Sequence, residues 1–181
     1  MITDLMIDLE TLATTPDAAI LTIGAVKFDP YGDEDMEQFY VKVDIDSCAS
    51  LDLTVDDNTI EWWSKQNSQA QEEAFGLNNR IDINDAMYQL YKFAWGTKRV
   101  WSHGAGFDII ICEHIFRKIK RACPWNYWQV RDTRTLFDIG FDPEMNQNSK
   151  HHALYDAIRQ ARGVQNVFKK LTANCSFLKT I

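Results

Sequence analysis

The sequence lacks any run of about 18 uninterrupted apolar residues, and it contains no low-complexity tract or internal repeat. The missing apolar run excludes an ordinary membrane-spanning helix. The first residues, MITDLMID, lack the positively charged residues with which a targeting peptide begins. The composition, 45% hydrophobic and 12% aromatic, is typical of a folded globular protein. We therefore expect a soluble, intracellular, cytoplasmic protein with no membrane partner.

Cysteine is scarce and does not form a metal-binding pattern. The four cysteines, Cys48, Cys112, Cys123 and Cys175, show none of the pairwise spacings of a zinc site. Cys112 lies inside the apolar run DIIICEHIF, where a packed side chain is expected. In an intracellular protein we expect all four to be reduced thiols that mainly pack the interior.

The length of 181 residues suits one domain with a substantial core and leaves little for a second. We therefore predict a single domain over residues 1–181. Charge is distributed unevenly along it, although the net charge is only −7. Residues 1–97 carry 19 acidic and 5 basic side chains, a net charge of −14, whereas residues 98–181 carry 7 acidic and 14 basic side chains, a net charge of +7.

The order of secondary-structure elements indicates a mixed α/β fold with an antiparallel start and later crossovers. Short segments rich in β-branched and aromatic residues predict strands at 5–10, 20–28, 38–44 and 99–103. Apolar periodicity and capping residues predict helices at 57–75, 82–95 and 108–121. A final helix is predicted by one apolar stripe, formed by Leu154, Ile158, Ala161, Phe168 and Leu171.

Asp8 and Glu10 are the first candidate functional pair. They lie in the apolar segment LMIDLE, and alternation along a strand places both on one face, about 6.6 Å apart along the backbone. An Asp and a Glu at this spacing also occur by chance, as Asp35 and Glu37 do in an evident loop. Carboxylates inside an apolar strand carry a large desolvation penalty without a partner, and a divalent cation is one such partner.

Two further acids have ordinary explanations beside a functional one. Asp108 follows the glycine-rich segment HGAGF at the start of a predicted helix, where it could serve as an N-cap. Asp156 lies between alanines in ALYDA, where it could face solvent. Alternatively, the small residues Ala153 and Ala157 let this helix approach another backbone closely and bring Asp156 toward the sheet.

Four separated motifs make the sequence similar to a known family. At IDLET, HGAGFD, RDTRTL and HHALYDA the chain resembles the DnaQ-like exonucleases of the DEDDh type. The segments TIEWWSKQ and PWNYWQVRDTRT are similar to the phage and prophage exonuclease VIII-like branch of that superfamily. The resemblance runs from about Met1 to Phe168 with the motifs in family order, so it is not a coincidental match.

The resemblance implies a ribonuclease H-like fold, with a five-stranded mixed sheet flanked by helices, and a metal-dependent 3′–5′ exonuclease in a bacterial or phage-infected cell. It assigns Asp8, Glu10, Asp108 and Asp156 as ligands of two divalent ions, Mg²⁺ or Mn²⁺. It assigns His151 as general base, with Glu10 also catalytic. Two ions about 3.5–4 Å apart can bind a scissile phosphate and activate water, and the product would be a nucleoside 5′-monophosphate.

The choice between His151 and His152 is a conflict between geometry and resemblance. In a regular helix His152, four residues before Asp156, shares its face, whereas His151 is about 140° away. The family pattern has its histidine five residues before the last Asp, which is His151. We favour His151, because a catalytic base can lie on the loop that leads into the helix. His152 is then a structural or solvated residue.

Several residues are candidates for holding the substrate. Thr11 and Leu12 match the family positions that contact the terminal nucleotide, and His103 matches a family histidine, although Gly104 replaces the usual Asn beside it. Aromatic rings can stack on bases, which makes Trp62, Trp63 and Phe107 further candidates. Core packing is expected for at least one of the two adjacent tryptophans, and a structural role is expected for Asp132.

The basic residues of the second half have two interpretations. They could form an ordinary solvated surface, or they could lie beside a phosphate-bearing strand. The residues concerned are Arg117, Lys118, Lys120, Arg121, Arg131, Arg134 and Lys150.

Three functions remain open. The favoured one is a DNA exonuclease that prefers single-stranded 3′ ends; the second is an exoribonuclease of the same fold. The third is a non-catalytic nucleic-acid-binding or partner subunit, although no metal ligand of the family is missing. Nucleic acid is thus the expected partner, and protein partners stay open.

Overall fold

The computed structural model describes residues 2–139 and 151–174. One mixed sheet of six strands forms its centre, with the strand order β4-β3-β2-β1-β5-β6. The strands are β1 Asp4–Thr11, β2 Ile20–Phe28, β3 Glu37–Val43, β4 Arg80–Ile81, β5 Arg99–Ser102 and β6 Val130–Asp132. The helices are α1 Ile45–Ala49, α2 Asp57–Ser64, α3 Ser68–Phe75, α4 Ile83–Ala94, α5 Asp108–Lys118, α6 Thr133–Phe137 and α7 Ala153–Asn174.

The predicted α/β class and antiparallel start are confirmed. β1 pairs with β2 and β2 with β3 in antiparallel register, as expected for strands joined by short connections. β5 then returns parallel to β1, and β6 lies parallel to β5. The expected strand number of five was one too low, because the two-residue strand β4 pairs with the end of β3 and adds a sixth.

The single helix predicted over 57–75 is wrong, because the chain breaks it into α2 and α3. Asp56, and not Asp57, is the N-cap of α2, since its side chain accepts a hydrogen bond from the Asn58 amide. α2 ends at Ser64, and Asn67 then caps α3 by accepting from the Ala70 amide at 2.9 Å. A polar side chain that captures a backbone amide offers the chain an alternative to continuing the helix.

The sheet separates two apolar layers. One face packs against α3, α4 and α5, and its buried residues include Leu5, Ile7 and Ile111. The opposite face packs against α7, where Ala161, Val164 and Val167 are fully buried. The predicted apolar stripe of α7 is confirmed, because its members pack into this second layer.

The remaining sequence expectations concern membrane helices and thiols. Within the described residues, no helix has both the length and the apolar character needed to cross a membrane. Cys48, Cys112 and Cys123 are free thiols, as expected, and burial raises the pKa of the Cys123 thiol to about 12. Cys175 and Lys150 lie outside the described residues.

Candidate active site

Three carboxylates from two distant parts of the chain meet beside the sheet. Asp8 and Glu10 project from β1, and Asp156 projects from the first turn of α7. Each offers one carboxylate oxygen, and these oxygens lie within 4.8 Å of one another. Asp156 is only 6% exposed, so the solvent-facing interpretation of this residue is wrong.

Asp108 also lies beside β1, although it belongs to α5. It is the first residue of α5, and its Oδ1 accepts a hydrogen bond from the Leu9 amide at 3.1 Å. Leu9 stands between Asp8 and Glu10, so this bond ties the Asp108 carboxylate to the strand that carries both. The N-cap position belongs to Phe107, which makes no capping side-chain bond. The interpretation of Asp108 as a helix cap is therefore wrong.

The four acids are electrostatically unfavourable without a cation. Burial, together with Asp108, Glu10 and Asp156, raises the pKa of Asp8 well above its usual value. Burial and the neighbouring Asp156 and Asp108 raise the pKa of Glu10 to about 8. Burial also raises the pKa of Asp108 to about 7. Hard divalent cations prefer such oxygen donors, and their charge would offset this repulsion, so the residues present fit a divalent-metal site.

Asp156 also organises the start of α7. Its Oδ2 accepts the amide of His151 at 2.9 Å and the amide of His152 at 3.3 Å, and its Oδ1 accepts a hydrogen bond from Arg159. A carboxylate has about four lone-pair positions, so these bonds leave acceptor capacity for a cation.

His151 lies outside α7, as the loop argument predicts. The helix begins at Ala153, so helical spacing does not govern the direction of the His151 side chain. Its backbone adopts the left-handed region, with φ of 65°, which non-glycine residues adopt at an energetic penalty. The His151 ring makes an edge-to-face contact with Trp62, at 4.8 Å between ring centroids. The bond from its amide to Asp156 stabilises this placement.

His152 points into a different environment. Its ring packs against Tyr155 at 4.1 Å and Tyr40 at 5.0 Å between centroids, and its Nε2 lies 3.7 Å from Glu73 Oε1. Glu73 also accepts a hydrogen bond from the Tyr40 hydroxyl and lies 3.4 Å from Lys42 Nζ. Burial lowers the pKa of His152, and the ring is held by packing beside Glu73.

A cleft of about 440 Å³ opens beside the acid cluster. Its walls include Glu10, Thr11, Asn58, Trp62, Trp63 and Phe107. The two tryptophans differ, as expected: Trp63 is 2% exposed and donates from Nε1 to the Thr11 carbonyl at 2.9 Å, whereas Trp62 is 43% exposed. Trp62 is therefore the ring available to a ligand.

The other candidate substrate residues lie less directly on the cleft. Leu12 is 3% exposed and packs in the core. His103 follows the end of β5, with its Nδ1 2.8 Å from the Thr133 hydroxyl.

Asp132 has the expected structural role, because it caps α6 at the Arg134 amide and accepts the Ala105 amide at 2.7 Å. This bond holds the HGAG loop against β6.

Two residues of the site escaped sequence reasoning. Gly24 lies opposite Asp8 in β2, and a Cβ atom there would lie 2.1 Å from the carbonyl carbon of Ala153. A glycine inside a strand signals such close backbone approach, so this residue could have been recognised. Gln160, only 3% exposed, donates from Nε2 to Asp8 Oδ1 at 2.7 Å. It lies four residues after Asp156 on the same helix face, which is the pattern that could have identified it.

Gly24→Ala is expected to destabilise the protein by about 1–3 kcal/mol, the usual result of overpacking. The added methyl group meets backbone atoms of Ala153 and Leu154, which cannot rotate away. Displacing the start of α7 should also lower activity, because Asp156 and His151 move with it. Gly106→Ala is the matched control, since a Cβ atom there meets nothing within 4 Å. Chemical denaturation of both variants measures the difference; equal stability would contradict this packing.

The raised carboxyl pKa values also predict the pH dependence of stability. A carboxyl group whose pKa is higher in the folded state than in the unfolded chain destabilises the fold as pH rises between the two values. In EDTA, the free energy of unfolding should therefore fall between about pH 5 and pH 8, by an amount on the order of a few kcal/mol. Mg²⁺ or Mn²⁺ should reverse the fall, and Glu10→Gln should reduce it. Unchanged stability across this range would contradict the repulsion.

Comparison with known proteins gives the family. The sequence model of the Rv2179c-like 3′–5′ exoribonuclease domain matches residues 3–168. An exodeoxyribonuclease of Enterobacteria phage T4 is 25% identical over an aligned length of 163 residues, and the match covers 75% of this chain and 70% of the relative.

Solved structures of exonuclease I share the fold. A zinc-bound complex of E. coli exonuclease I with single-stranded DNA aligns with a TM-score of 0.65 at 14% identity, over 96% of this chain and 42% of that one. Exonuclease I from Methylocaldum szegediense gives a TM-score of 0.59 at 15% identity, over 96% of this chain and 43% of that one. The chain thus spans less than half the length of these proteins.

The predicted DnaQ-like superfamily and ribonuclease H-like fold are thereby confirmed. The match over residues 3–168 covers β1 and α5, which carry three of the acids, the aromatic cleft and most of α7 with Asp156. This chain belongs to the Rv2179c-like 3′–5′ exoribonuclease domain family and is a 3′–5′ exonuclease.

Proposed function

We propose that this chain releases nucleoside 5′-monophosphates from the 3′ ends of single-stranded DNA by metal-dependent hydrolysis. The observation that carries the proposal is the cluster of Asp8, Glu10 and Asp156, with Asp108 tied to the same strand. This cluster opens directly onto a cleft with an exposed aromatic wall, because Glu10 and Trp62 both line it. This arrangement supports phosphate hydrolysis at the acids with base binding beside them.

The carboxylates of Asp8, Glu10, Asp108 and Asp156 would hold two divalent ions, Mg²⁺ or Mn²⁺. When bound, such ions supply a lowered pKa for the attacking water and charge stabilisation for the leaving 3′-oxygen. Gln160 orients the Asp8 carboxylate through its 2.7 Å hydrogen bond. The bond from Leu9 to Asp108 orients the fourth ligand in the same way.

His151 acts as the general base in this proposal. An imidazole has an ordinary pKa close to neutral pH, which suits proton removal from water at the pH of the cell. Its position supports the role, because its amide is bonded to Asp156 and its ring contacts Trp62 at the cleft. His152 is held by Tyr40, Tyr155 and Glu73, so it serves to anchor the backbone beside His151.

The cleft receives the terminal nucleotide. Trp62 offers an exposed ring for stacking on the last base, and Phe107 forms part of the same wall. Stacking on aromatic rings tolerates every base, which suits an enzyme that removes nucleotides in succession. Thr11 lines the cleft beside Glu10, and its hydroxyl donates a hydrogen bond to the Ala13 carbonyl at 2.8 Å.

The choice of DNA rests on the polar groups of the cleft. A preference for RNA requires a group that bonds the terminal 2′-hydroxyl. Several polar side chains of the cleft already bond within the protein: Thr11 to Ala13, and Asn58 and Thr59 to Asp56. The T4 relative, named as an exodeoxyribonuclease, supports the same choice. RNA is the second candidate, because the family is described by exoribonuclease activity.

The test measures release from matched DNA and RNA oligonucleotides, labelled at the 5′ end and incubated with Mg²⁺ or Mn²⁺. We expect stepwise shortening from the 3′ end, 5′-mononucleotide products, faster turnover of single-stranded DNA than of RNA, and none in EDTA. Faster turnover of RNA would move the assignment to the second candidate. Failure to shorten either polymer, under conditions where the protein is folded, would contradict the proposed function.

A further inference from the structure

Two exposed aromatic side chains lie just before β6 in the chain. Tyr127 is 83% exposed and Trp128 is 60% exposed. They lie in a short 3-10 turn, Tyr127–Gln129, whose rings contact each other edge to face at 5.1 Å between centroids. Gln129 anchors the turn by donating from Nε2 to the Thr97 carbonyl at 2.7 Å. The fold thus presents this pair to solvent on a turn that is hydrogen-bonded to the chain before β5.

β6 connects this pair to the active-site end of the sheet. It is an edge strand and pairs with β5, with Trp101 opposite Arg131 and Ser102 opposite Asp132. The strand covers about 10 Å, because it has three residues. Trp128 precedes its first residue, and α6 follows its last. One edge of the protein therefore leads from the aromatic pair toward the HGAG loop beside the acids.

Exposed cations follow the same edge. Arg131 is exposed, and its Nη1 donates to the Trp128 carbonyl at 2.7 Å, which holds the guanidinium beside the aromatic turn. Arg134 is exposed at the other end, with Nε donating to the His103 carbonyl at 3.2 Å. A Cβ atom on Gly104 would lie 3.5 Å from Arg134 Nε, so this guanidinium lies against the HGAG loop that precedes Asp108.

The acids on this edge are Asp132 and Asp138, and Asp138 is exposed at the end of α6. Asp132, between the two arginines, bonds the amides of Arg134 and Ala105. Glu113 accepts from the Trp125 indole at 3.2 Å in the preceding segment. The edge combines two exposed arginines with two exposed rings, and cations interleaved with aromatic rings bind single-stranded nucleic acid without regard to sequence.

We propose that this edge, formed by Arg134, Arg131, Trp128 and Tyr127, binds the 5′ portion of the single strand whose 3′ end lies in the active site. The arginines contact successive phosphates, and the two rings stack on bases beyond them. This inference rests on the proposed function, since it extends the substrate of the same site. It implies that short oligonucleotides fill the cleft alone, whereas longer strands gain affinity from the edge.

The test measures binding in EDTA, where no turnover occurs, by fluorescence anisotropy of labelled deoxyoligonucleotides. The lengths are about four and about sixteen nucleotides, which bracket the site sizes of single-strand binding folds. Trp128→Ala should weaken binding of the longer strand about tenfold, the loss expected for one stacked base. Binding of the shorter strand should not change. Tyr31→Ala is the matched control, because Tyr31 is also 60% exposed but follows β2.

Arg131→Gln provides a second readout. For a single strand, each lost phosphate contact reduces the slope of log K against log salt by about 0.7. We expect this reduction for the longer strand only. The proposal would be overturned if Trp128→Ala and Tyr31→Ala weakened binding of the longer strand equally. It would also be overturned if Trp128→Ala weakened binding of both strand lengths equally. Because this assay is independent of turnover, its failure is distinguishable from failure to release mononucleotides.

Discussion

His151→Ala is expected to lower kcat by about 10²- to 10⁴-fold, the range contributed by a positioned general base. The variant keeps the carboxylates and the aromatic cleft, so KM should change little. The backbone bond from residue 151 to Asp156 can persist, because it uses the amide and not the imidazole. Single-turnover release from a labelled DNA strand measures the chemical step directly.

His152→Ala is the matched control for this prediction. The two histidines are adjacent, but the His152 ring packs against Tyr40 and Tyr155, whereas the His151 ring contacts Trp62 of the cleft wall. Its loss should lower stability and leave most of the turnover of the folded protein. If His152→Ala abolished turnover while His151→Ala retained it, the assignment of the base would be reversed.

Asp8→Asn is expected to have two opposite effects. Turnover should fall by about 10³-fold or more, because metal-assisted catalysis supplies several kcal/mol and each 1.36 kcal/mol corresponds to tenfold in rate. The metal-free protein should become more stable, because the substitution removes a partly buried carboxyl group whose ionisation is opposed by burial and by Asp108, Glu10 and Asp156. Thermal unfolding in EDTA and release assays with Mn²⁺ measure the two effects on the same preparation.

Asp35→Asn serves as the control for the acid substitution. Asp35 is an exposed acid in the loop before β3, and its neutralisation should alter neither stability nor turnover appreciably. Loss of stability in metal-free Asp8→Asn, or turnover close to that of the unchanged protein, would argue against Asp8 as a metal ligand.

Sequence reasoning predicted the parts of the site that depend on local setting and family motifs. Asp8 and Glu10 stood out because they interrupt an apolar segment, and the structure places them with Asp156. The four longer strands and α7 were visible from residue type and apolar spacing. These features depend on short-range patterns, which a single sequence carries.

Other features depended on tertiary contacts that no local pattern specifies. The break between α2 and α3 follows from competition between helix continuation and the Asn67 cap, which helical periodicity alone cannot rank. Asp108 looked like a cap, because its true partner, the Leu9 amide, is 99 residues away. The anchoring of His152 by Tyr40 and Glu73 likewise joins three distant segments.

The measurement that tests the central claim most directly is calorimetric titration of the metal-free protein with Mn²⁺, beside Asp8→Asn under the same conditions. The account predicts that the unchanged protein binds two ions, that Asp8→Asn loses at least one, and that release of nucleotides rises with the same metal dependence as binding. Absence of Mn²⁺ binding, or equal binding by Asp8→Asn, would contradict the assignment of the carboxylate cluster as the catalytic metal site.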